Sequence, residues 1–166
     1  TRQTASQIAN ASLPVLSSLV NKSLLRRLAL GEQKNVLRYE LHELLRQYVQ
    51  ERLTRFPELQ QTTQTKYGVY FAEFLAERYD RLHSATPKQA LLEIEREIKN
   101  VRSAWQWAIA TREQDAISQM CACLGLFYRL QNWLEEGKEM FAQAMQQLAN
   151  VAPESELGLL RARFMT

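Results

Sequence analysis

His42 is the residue in this chain with the clearest means of doing chemistry. It stands where Val36-Leu37-Arg38-Tyr39-Glu40-Leu41, whose alternation puts Leu37, Tyr39 and Leu41 on one face, gives way to Leu41, Leu44, Leu45, Tyr48, Val49 and Leu53 at helical spacing. A strand running into a helix leaves backbone N–H groups unpaired at the helix start, where the dipole favours an anion. A neutral histidine there has one ring N–H to donate. Arg46 follows four residues later on the same face and can support an anion or pair with Glu43. The plainer reading is that His42 fills a turn and nothing more. The second histidine, His83, is far away in sequence, sits among polar neighbours and is expected to be exposed.

Other chemistry is poorly served. No phosphate loop of the G-x-x-x-x-G-K-[ST] type, no His/Cys cluster at metal-ligand spacing and no nucleophile elbow occurs. Cys121 and Cys123, two apart in a helical stretch, point to nearly opposite sides and read as small buried apolar residues. Enzymatic activity is therefore not expected of this chain by itself.

Two segments carry a resemblance. Leu41-His42-Glu43-Leu44-Leu45-Arg46, with Tyr39 before it and Gln47-Tyr48 after it, resembles the "MHD" signature that closes the winged-helix part of STAND signal-transduction ATPases, the class that includes NB-ARC proteins and many bacterial multidomain transcriptional regulators. Leu16-Ser17-Ser18-Leu19-Val20-Asn21-Lys22-Ser23-Leu24-Leu25 resembles the "L-x-x-L-V-x-K-S-L-L" of the same module. Leu41 stands in place of Met and Glu43 in place of Asp. The resemblance implies that His42 contacts the phosphates of ADP bound to an upstream ATPase domain of the same polypeptide. No cofactor is expected in these residues themselves, and ADP or ATP with magnesium is expected in the parent chain.

The elements that would position His42 follow in order. Thr4 to Ala11 can form a helical turn or two around Ile8. Ser12 reads as an N-cap with Pro14 in the first turn, and Leu13, Leu16, Leu19 and Val20 as the buried stripe of a helix ending near Asn21-Lys22-Ser23. Leu24 to Leu30 reads as a strand, Gly31 to Asn35 as a polar turn and Val36 to Leu41 as its partner. Helix, strand, turn and strand are the later part of a winged helix. Such a unit suggests DNA, and Lys22, Arg26, Arg27 and Lys34 are the candidate phosphate contacts. Through Leu53 there are eight Lys/Arg against four Glu, so the basic excess lies in this third of the chain. The candidate recognition helix, however, offers Ser17, Ser18 and Asn21 and no arginine to read guanine, so DNA binding by this module is not expected.

Beyond Leu53 the strand signals stop. A helix is expected from Glu58 to about Leu82, with Tyr67, Tyr70, Phe71, Phe74, Leu75 and Leu82 as a core stripe. Thr86 should cap the next, with Pro87 in its first turn and Leu91, Ile94, Ile98, Val101, Trp105 and Ala108 as a packing seam. Glu93, Glu95, Glu97 and Lys99 read as a solvated face. From Ser118 to Val151 the spacing of Leu124, Gly125, Tyr128, Gly137, Phe141 and Ala144 resembles a tetratricopeptide repeat, with Gly125 and Gly137 at its two crossing positions and Trp133 anchoring the second helix. A further helix is expected over Leu157 to Phe164.

The fold class expected is mainly α: a partial winged helix of helices and a β-hairpin over residues 1–53, a helical linker or repeat region over 54–112, and a tetratricopeptide-like repeat with the start of the next over 113–166. The chain is expected to be a piece of a longer one at both ends. With 46% hydrophobic and 23% charged residues in 166, no apolar run of membrane-spanning length and no leader-like segment, a cytoplasmic setting is expected, with no membrane partner. Two other readings stay open: a stand-alone helical-repeat module for protein interaction, with an unknown effector or protein on the repeat surface, and a winged-helix DNA-binding regulator.

Overall fold

The computed structural model describes residues 1–29 and 37–149. The turn over Gly31 to Asn35, with Lys34, and the helix expected over Leu157 to Phe164 lie outside them. The described chain is mainly helical with one small antiparallel hairpin. Its contacts separate two compact units, Thr1–Tyr67 and Gly68–Thr166.

In the first unit, α1 (Arg2–Ala9) is capped by the Thr1 hydroxyl, which accepts from the Thr4 N–H. It ends at Asn10 in the left-handed region, where asparagine is among the better-tolerated residues. Ser12 caps α2 (Leu13–Asn21) by accepting from the Val15 N–H, as its sequence position requires. Of the expected apolar stripe, Leu16 is buried, Leu19 and Val20 are half-buried and Leu13 is 44% exposed. β1 (Leu25–Ala29) then pairs with β2 (Leu37–Leu41), Leu25 facing Leu41, Arg27 facing Tyr39 and Ala29 facing Leu37. α2 packs on β1 and α1 on β2. Coverage by two short helices is incomplete: Tyr39 and Leu41 are half-buried as the alternation expects, but Leu37 is exposed.

α3 (Glu43–Leu53) departs most from expectation. Its apolar positions are at helical spacing, yet none of its residues is buried, and Leu44, Tyr48 and Val49 are all exposed. Helical periodicity reports that a face can be buried; among the described residues this one is not.

α4 (Pro57–Leu82) runs across the division between the units, and the second unit continues with α5 (Lys88–Thr111), α6 (Gln114–Leu130) and α7 (Leu134–Gln147). The core of this unit is built from Phe71, Leu75 and Leu82 of α4, Ile94, Val101 and Trp105 of α5, Ile117, Met120 and Phe127 of α6, and Ala144 of α7. The seam expected on α5 is present, with Leu91 and Ile98 half-buried at its margin. Pro87, not Thr86, is the residue that precedes α5. It lies in the right-handed helical region with no side-chain capping bond, while the Thr86 N–H instead meets the Ser84 hydroxyl. α6 packs on both α5 and α7, and α5 touches α7 directly.

Helical glycines separate by environment. A Cβ at Gly68 would fall 1.9 Å from the Trp107 ring, and one at Gly137 would fall 3.0 Å from Tyr128 Cβ. At Gly125 nothing lies within 4 Å, so this position is not a close helix crossing, contrary to the expected pairing of Gly125 with Gly137. The room arises because the residues that fill the α5–α6–α7 interior are Leu124, Phe127 and Tyr128, to either side of it.

Candidate functional site

His42 is the N-cap of α3. Its backbone is extended, the last residue of β2 precedes it, and its Nδ1 accepts from the Leu44 N–H at 3.4 Å, while its carbonyl accepts from the Arg46 N–H. The strand-to-helix junction read from the alternation is therefore real, and the ring fills the place usually taken by Ser, Thr, Asp or Asn. Using Nδ1 as the acceptor leaves the opposite edge of the ring, Nε2, as the N–H donor of the neutral imidazole. The residue is exposed. Arg46 and Glu43 form an exposed ion pair at 3.6 Å, so the arginine has a local partner but not a tightly held one. The capping role is thus shown by geometry, on a residue that solvent reaches.

Of the alternative basic set, Lys22, Arg26 and Arg27 lie among the described residues. Arg26 and Arg27 are neighbours on a strand, so their side chains leave opposite faces of the hairpin. Arg26 is opposite Glu40 in the register and Arg27 opposite Tyr39. Lys22 is the exposed residue that ends α2, and Lys34 lies outside the described residues.

Two features of the helical unit were not legible as sites. The first joins α4 to α5: Glu93 accepts from Arg78 Nε at 2.9 Å and from both terminal nitrogens of Arg81 at 3.0 and 2.8 Å. Arg78 also donates to the Phe74 carbonyl and lies 3.5 Å above the Phe74 ring centroid. The hydrogen bonds from Arg81, with the charge of both guanidinium groups, hold the Glu93 carboxyl below its ordinary range against the opposing effect of burial. Glu93 is therefore no part of a solvated face. Neither is Glu97, which is 9% exposed and accepts from the Asn100 side chain. Glu95 and Lys99 are exposed as expected.

The second is a groove of about 150 Å³ between α5 and α7, floored by Trp105, Ile109, Met140 and Ala144. At one side Arg102 donates to the Tyr128 hydroxyl and pairs with Glu136. Burial raises the Tyr128 phenol above its usual range, opposed by the hydrogen bond from Arg102. Phe141 meets Trp105 edge to face at 5.7 Å, and Trp133, expected as the anchor of α7, meets Phe127 edge to face at 5.7 Å. Cys123 is fully buried and desolvation pushes its thiol up to about 12, the behaviour of a packed apolar residue; Cys121 is half-buried. His83 is exposed, with Nδ1 3.0 Å from the Tyr79 carbonyl.

Among the described residues no group of three or more His, Cys, Asp or Glu is placed to hold a metal ion, and no helix is long and apolar enough to cross a membrane. Comparison of the chain with protein-family models, with characterised proteins and with solved structures gave no match.

Proposed function

We propose that this chain is the regulatory part of a nucleotide-switched signalling ATPase of the STAND class. In this reading residues 1–53 form the closing portion of the winged helix, and the following helices form an arm, tetratricopeptide-like over 113–166, that receives an effector or a protein. The observation that carries the reading is the start of α3, where the exposed His42 stands beside the unburied Leu44, Tyr48 and Val49. A contiguous exposed apolar face is what a domain carries when it packs against another protein surface. Here that surface is an upstream ATPase domain holding ADP or ATP with magnesium. His42 would donate to a phosphate of ADP in the resting state, and Arg46 could leave its weak pairing with Glu43 to assist.

An effector moves such a switch only if it binds the open and closed states unequally. The separation of Arg26 from Arg27 by the strand pleat supports a winged helix used for protein contact over one used for DNA. The test is the reading frame upstream of Thr1. The proposal expects a G-x-x-x-x-G-K-[ST] loop between a strand and a helix there. An upstream frame that is fully read and carries no such loop refutes it, and directs attention to a helical-repeat interaction module.

A further inference from the structure

We draw no further inference here: the strongest candidate, the open groove between α5 and α7 floored by Trp105, Ile109, Met140 and Ala144, carries none because nothing in the structure shows what covers it.

Discussion

A histidine at an N-cap has two tasks that simple truncation cannot separate. Replacing His42 by Ala removes the bond to the Leu44 N–H and should cost about 0.5–1 kcal/mol of local stability, read by chemical denaturation. His42→Asn restores a side-chain acceptor at the cap and should recover most of that loss. Glu93 makes the second prediction at this scale. Its carboxyl is held below its unfolded range, so its contribution is complete above the unfolded value near 4.5 and is lost as pH falls through the lower folded value. Thermal unfolding of wild type and Glu93→Gln should therefore differ by a constant amount at neutral pH, about 1 kcal/mol after allowance for its partial exposure. The two should converge as acid protonates the folded carboxylate, at a pH below the ordinary carboxylate range. A gap that widens in acid would contradict the assignment.

Between elements, the three helical glycines give a series with a change of sign. Gly125→Ala enters open space and should stabilise by up to about 1 kcal/mol, the difference in helix propensity. Gly137→Ala meets Tyr128 at 3.0 Å, and a small shift of the ring should leave it near neutral. Gly68→Ala drives a methyl into the Trp107 ring, and overpacking of about 1–3 kcal/mol outweighs the propensity gain. Midpoints of urea unfolding should fall in the order Gly125→Ala, Gly137→Ala, Gly68→Ala.

This series also marks what the amino-acid order discloses. Gly125 and Gly137 have the spacing of a repeat, but spacing cannot tell which of two glycines faces a neighbour; only the packed helices do. The strand-helix junction at His42 was legible because two periodicities change there. The seam on α5 was legible because Ile94, Val101, Trp105 and Ala108 repeat at the helical period. Glu93 was not, since pairing with Arg78 and Arg81 depends on how α4 and α5 are set side by side, 12 and 15 residues away in sequence. The groove was hidden for the same reason: Trp105 and Met140 belong to helices brought together by α6.

At the scale of the molecule, burial is unequally shared. The second unit holds nearly all of the fully buried large side chains, whereas the described helices of the first contribute Ile8 and Leu16. Local opening free energy follows buried contact. Hydrogen exchange should accordingly be slowest over 101–109 and 116–128 and fast over 43–53, and equal protection of α3 would show that its apolar face is covered in solution. Tyr48→Ser, on that face, should change stability by less than about 0.5 kcal/mol, since it is 56% exposed.

The most direct test of the nucleotide-switch account is retention of ADP by the full-length polypeptide carrying His42, His42→Asn or His42→Asp. Asparagine and aspartate both keep a capping acceptor for the Leu44 N–H, and neither supplies the ring donor. Aspartate adds a negative charge facing phosphate. The account predicts faster ADP release and raised basal signalling in His42→Asn and more so in His42→Asp, with unfolding midpoints close to that of wild type. Release rates identical for all three proteins would contradict it, and leave His42 as a helix cap and nothing further.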